Sequence, residues 1–183
     1  MDLISKIKNE QIEIFQKSLL AGVIKEHSEV IWCDSLGDFM NNDVRKSTDF
    51  KELFDTLKSM NGPVLYWFEI LSENTHEEIR QKLIEYKNTS GVRSNSAMWK
   101  YTIPNSKYLY VGKVKKGVSG RIVTHLGYSK NPYTSGLQLF HWSKGMNLKL
   151  KLNVMEFIPE MADLMGVIEL KVAQNLHPII GKH

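Results

Sequence analysis

The chain has 183 residues, 42% of them hydrophobic and 24% charged, with a formal net charge of +4, enough to fill a real core in one domain or one domain with an appendage. No apolar run approaches the roughly 20 residues of a membrane span, and the charged, amphipathic start "MDLISKIKNEQIEIF" is unlike a secretory signal. Cys33 is the single cysteine and the six histidines are scattered, which excludes an intrachain disulfide and a cysteine-rich zinc site and fits a reducing, cytoplasmic setting.

In chain order, residues 2–25 read as a helix, because Leu3, Ile4, Ile7, Ile12, Ile14, Phe15, Leu19 and Leu20 recur at roughly helical spacing. "EVIWCDS" reads as a short strand or a buried connector. Ser47 or Thr48 can cap a helix through "DFKELFDTLKSM", which Asn61-Gly62-Pro63 ends. Residues 1–61 are thus expected to form a helical extension. "PVLYWFEIL", residues 63–71, is almost continuously apolar, the pattern of a central strand. Thr75 and Glu78 form a capping-box pattern opening a helix to about Lys87. "NTSGVRSNS" is a loop, "AMWKYTI" a candidate strand, and Pro104-Asn105 a turn. "KYLYVGKV" alternates as a strand. Ser119, between Gly117 and Gly120, is the expected N-cap of a helix carrying Arg121 and His125. Pro132 is expected to start a helix to about Lys144. Residues 148–158 alternate as a half-buried strand, and Pro159 opens a last helix to about Leu176. Helices first, then a few strands mixed with helices, make an α+β fold.

The charge is unevenly spread. Residues 86–155 hold 12 lysines and arginines and no Asp or Glu, leaving 12 basic and 20 acidic residues elsewhere. Such a block reads either as a solvated basic face or as a docking surface for a polyanion. Aromatic residues interleaved with the lysines, among them Trp99, Tyr108, Tyr110 and Tyr133, tilt the reading toward nucleic acid. Candidate backbone contacts are Arg93, Lys100, Lys115, Lys116 and Lys130.

Within this block, Gly112-x-x-x-x-Gly117 has the glycine spacing of a nucleotide-binding P-loop, but Val118 stands where that pattern needs lysine. A second constellation carries more chemistry. Arg121 and His125 are four apart and share one helix face. An arginine fork suits a phosphate, and a histidine supplies a further donor or a proton-transfer group. Tyr110 lies on the preceding strand and Tyr66 on the central one. Glu169 has Met165, Gly166, Val172 and Ala173 as its helical neighbours, none able to pair with it. It reads as an edge residue reaching solvent, as a metal ligand, or as an ion-pair partner of the basic block.

In this order the residues resemble the GIY-YIG nucleases. "VLYWF" supplies the first tyrosine, Tyr66. "YVG", Tyr110 to Gly112, supplies the second motif with valine for isoleucine. Arg121 and His125 have the four-residue step, and Glu169 follows on a later helix. In "HPIIGKH" Gly181 stands where an asparagine is common. The resemblance covers residues 62–183, with an insertion at about 71–106. It implies a small antiparallel sheet of three core strands flanked by helices. It also implies a metal-dependent DNA endonuclease that hydrolyses phosphodiester bonds. In that scheme Tyr66 or Tyr110 orients or deprotonates the attacking water. Arg121 holds the scissile phosphate, Lys113 assists, and His125 orients a tyrosine or relays a proton. Glu169 binds one magnesium or manganese ion. The alternatives are a non-catalytic nucleic-acid-binding module on the same fold, or a basic surface for an acidic protein. A homodimer is compatible with the sequence but not indicated by it.

Overall fold

A continuously apolar segment can hide both its faces only in the interior of a sheet. In the computed structural model, which describes residues 2–39, 43–89, 91–99 and 103–181, strand β2 (Val64–Ile70) takes that position. It runs antiparallel to β3 (Tyr108–Val114) on one side and to β4 (Lys149–Glu156) on the other. Strand β1 (Lys25–Trp32) pairs antiparallel with β4, so the order is β1-β4-β2-β3. The fold is therefore α+β with a small antiparallel sheet flanked by helices. Its fourth strand comes from the N-terminal segment, expected to be a helical extension, and takes in the start of "EVIWCDS", read as a short strand or a buried connector.

The helices are α1 (Leu3–Ala21), α2 (Lys51–Ser59), α3 (His76–Asn88), α4 (Val118–Leu126), the four-residue α5 (Leu139–Trp142) and α6 (Met165–Leu176). Residues of β2 alternate between two cores. Tyr66 and Phe68 join Leu150 and Leu152, with Phe54 of α2, Ile79 and Leu83 of α3, and Ile122 and Leu126 of α4. On the other face Leu65 joins Val111 and Met161, Leu164, Met165 and Ala173 on and before α6. Among the described residues no helix is long and apolar enough to cross a membrane.

Local rules account for most boundaries. The capping box of α3 forms as expected, Glu78 N–H donating to Thr75 Oγ1 and Thr75 N–H to Glu78 Oε2. Helix α1 stops at Ala21 rather than residue 25, because Gly22 adopts a left-handed φ of 64° and ends it. Helix α4 begins beside Gly117, also left-handed, and not at a Ser119 cap. No helix starts at Pro132. Gln138 is left-handed there and the segment hydrogen-bonds to residues 94–96, leaving only α5 helical. Of "AMWKYTI", Met98 makes one bridge to Ile180, and residues 100–102 lie outside the described residues.

The insertion between β2 and β3 leaves the sheet intact. Its two ends meet where Ile70 N–H donates to Lys107 O at 2.7 Å. Tyr66 then sits directly across from Gly112, and Leu65 across from Lys113.

Candidate active site

The close approach of β2 and β3 depends on Gly112. A Cβ there would lie 2.5 Å from Tyr110 Cε1, 2.6 Å from Tyr66 Oη and 2.7 Å from Tyr66 Cζ. Only a bare backbone lets the two phenol rings pass across this point, 6.2 Å apart and 30° from parallel. The left-handed turn at Gly117 then reverses the chain so that α4 lies over the same face. His125 packs on both tyrosines and on Phe68, with its ring 4.8 Å from that of Tyr110.

His125 is fully buried. Burial, and secondarily the charge of Arg121, holds its pKa well below the usual histidine value, so the ring is neutral. Its Nδ1 accepts the Leu137 amide at 3.1 Å, which places the single ring proton on Nε2. Nε2 lies 2.9 Å from Tyr66 Oη and therefore donates to it. His125 is thus a donor to Tyr66, a role that orients the phenol and leaves the ring no free acceptor for its proton. Tyr66 is itself fully buried. Burial and the neighbouring Tyr110 raise its pKa, and Arg121 opposes them without reversing the direction.

Arg121 is half-buried and donates to Ser135 O at 2.8 Å. Burial acts to lower its pKa, the oxygens of Tyr66 and Tyr110 act to raise it, and the net direction is upward. The guanidinium stays charged beside the two phenols.

Glu169 comes from the opposite face of the sheet. β3 is the last strand in the order, and Ile179 and Ile180 pair with its outer edge only at Tyr108–Tyr110, so a side chain from α6 can reach round the edge near Lys113. The Lys113 ammonium is 3.9 Å from the carboxylate. Burial raises the pKa of Glu169, while Lys113 and Arg121 act against that shift. Tyr110 and Glu169 line one cavity of about 770 Å³, together with Ser135, Gly181 and residues 92–97 of the insertion. Among the described residues, no group of three or more His, Cys, Asp and Glu side chains is gathered as a metal site. Glu169 is the one acidic residue in the lining of this cavity.

Tyr66, Tyr110, Arg121, His125, Lys113 and Glu169 are therefore brought together. The remaining candidates separate. Arg93 lines the cavity, but its guanidinium is engaged by Ser129 O and by Gln138 Oε1. Lys115 is exposed and paired with Asp163 at 2.6 Å. Lys116 and Lys130 are exposed, and Lys100 lies outside the described residues. The sequence reading missed Leu137, whose amide fixes the His125 tautomer, and Ser135, which anchors Arg121. The only signal in the sequence is Gly136 between them. A Cβ there would come within 2.8 Å of Thr124 Cγ2, so glycine lets this loop press on α4.

Comparison with protein-family models, with curated proteins and with solved structures gave no match.

Proposed function

We propose that the protein is a metal-dependent DNA endonuclease of the GIY-YIG type, acting at the cavity lined by Tyr110 of β3, Glu169 of α6 and the insertion. The observation that carries this reading is that Tyr110 and Glu169, from different elements, line one solvent-accessible space, with the charged Arg121 near enough to act on both. A fold has no packing reason to gather a phenol, a fixed guanidinium and a half-buried carboxylate at a sheet edge. Phosphodiester hydrolysis has a use for each of them: a proton acceptor or orienter for water, a phosphate anchor and a metal ligand.

Arg121 is the phosphate anchor. Its fork is held by Ser135 O and keeps its charge, so it can stabilise the charge that develops on the non-bridging oxygens. Tyr110 is the phenol in reach of the attacking water, since it lines the cavity and Tyr66 is enclosed. Tyr66, oriented by His125, supports Tyr110 and Arg121 from behind. Lys113 adds positive charge beside Glu169. A lone carboxylate in a lining otherwise free of acids suits one magnesium or manganese ion, which takes one or two carboxylates and fills its shell with waters and phosphate oxygens. Glu169 would hold that ion, whose chemistry when bound is to stabilise the leaving oxygen. The exposed Lys116 and Lys130 give the strand a sequence-independent grip. A cytoplasmic setting suits Cys33, whose buried thiol is pushed up to about 12 and stays unreactive.

The test is Glu169→Gln, assayed by nicking of supercoiled plasmid with magnesium and by DNA affinity without metal. Cleavage per folded molecule falls by orders of magnitude while metal-free affinity holds or improves. A variant that folds normally and cuts at the parent rate removes Glu169 from the chemistry and the nuclease reading with it.

A further inference from the structure

The insertion is more than a connector. Residues 93–96 of its loop are each fastened to the segment 129–138, unlike most surface loops. Ser94 N–H donates to Pro132 O at 2.8 Å and Ser96 N–H to Gly136 O at 3.1 Å. Asn95 Nδ2 donates to Leu137 O, and the buried Gln138 reaches back to Ser94 O, both at 3.2 Å. Arg93 adds two further ties, to Ser129 and Gln138. The result is a preformed wall facing Tyr110 and Glu169 across the cavity.

That cavity, about 770 Å³, is far larger than a phosphate group and falls within the roughly 300–1,000 Å³ that encloses organic ligands. Its insertion side includes the polar Ser94, Asn95 and Ser96, and one cation there ties the loop with a single bond and keeps donors to spare. This is Lys87, at the end of α3. Its ammonium has three donors and makes one hydrogen bond among the described residues, to Ser96 O at 2.9 Å. Burial lowers its pKa, and an anion placed beside it would act in the opposite direction.

We infer that this wall is a second subsite, which grips the sugar–phosphate unit next to the scissile bond, with Lys87 contacting the flanking phosphate. The inference rests on the nuclease reading and adds to it the function of the insertion: it fixes the strand on one side of the cut. Arg121 and Lys87 then hold successive phosphates.

The experiment measures binding of a fluorescein-labelled DNA hairpin, without metal, across a salt series. Removing one phosphate contact makes the slope of log affinity against log salt shallower by about 0.9 for duplex. Lys87→Met should show that change and bind several-fold more weakly at low salt, and Lys87→Arg should restore both. Ser94→Glu adds a negative charge to the same wall without touching the Lys87–Ser96 bond, and should also weaken binding several-fold. It keeps the test alive if Lys87→Met fails to fold. A parent that binds DNA while Lys87→Met or Ser94→Glu binds with unchanged affinity and slope overturns the subsite and leaves the nuclease reading standing. A parent that neither binds nor cuts DNA overturns both.

Discussion

Gly112→Ala puts the architecture of the site to a direct test. Gly112 has no left-handed φ, so alanine meets no backbone strain and the whole effect comes from the added methyl. Three atoms lie 2.5–2.7 Å from the position of its carbon, about 1 Å inside ordinary van der Waals contact. Two of them belong to Tyr66, which is fully buried and cannot swing into solvent. Overpacking of this kind costs about 1–3 kcal/mol. Moving Tyr66 Oη also breaks its 2.9 Å bond to His125 and strands a buried donor, a further 1–3 kcal/mol or so. The expected loss is about 2–6 kcal/mol, a large part of the stability of a typical domain. Urea unfolding of the parent and of Gly112→Ala measures it. A Tyr66→Leu background removes the ring and hydroxyl that collide, so the alanine should cost less there, by an interaction energy of at least about 1 kcal/mol. An alanine variant within about 0.5 kcal/mol of the parent, or a cycle with no coupling, would refute the claim that glycine is needed for the crossing of the phenols.

Two other outcomes follow from the same geometry. The neutral His125 has a folded-state pKa well below its unfolded value near 6.5, so its contribution is complete above about pH 6.5 and is lost as pH falls toward the folded pKa. The loss is up to about 1.4 kcal/mol per pH unit. Unfolding midpoints between pH 7 and 5 should therefore fall more steeply for the parent than for His125→Gln. His141, also lowered mainly by burial, leaves some slope in both, and equal slopes would contradict the assignment. DNA binding should weaken with salt at a log–log slope of roughly −4 to −5, as expected for about four to six phosphate contacts. A Lys116→Glu, Lys130→Glu pair should lower affinity for unrelated sequences alike, and affinity indifferent to salt would remove the basic block from the interface.

The elements the sequence disclosed are those whose cause is local. β2 announces itself by an unbroken apolar run, α3 by its capping box, and the tyrosine, glycine, arginine and histidine positions by spacing along β3 and α4. What stayed hidden depends on partners far away in the chain. β1 is only half legible, through "EVIWCDS": it is an edge strand with only Ile31 buried, so its alternation is faint and the preceding helical pattern runs into its start. Residues 132–138 look free to start a helix until their bonds to the insertion are known. The Leu137 amide cannot be found by any motif, because every residue but proline carries the same group. The reach of Glu169 was hidden as well, since it depends on β3 lying at the edge of the sheet, a property of strand order rather than of the helix that carries it.

Strand order also sets a timetable. β4 lies between β1 and β2 and is the last strand in the chain. While the polypeptide is being synthesised, β1 has no neighbour, and β2 can gain only β3, until residues 149–156 have been made. From the end of β2 at Ile70 to the start of β4 at Lys149, elongation takes roughly 4–16 s at about 5–20 residues per second. During that interval the apolar β2 lacks the partner on one side, and the sheet can be completed only by inserting a late strand between two early ones. Such pairing over long chain separations is intrinsically slow. The half-made sheet, rather than the finished one, is the form of this protein most exposed to aggregation.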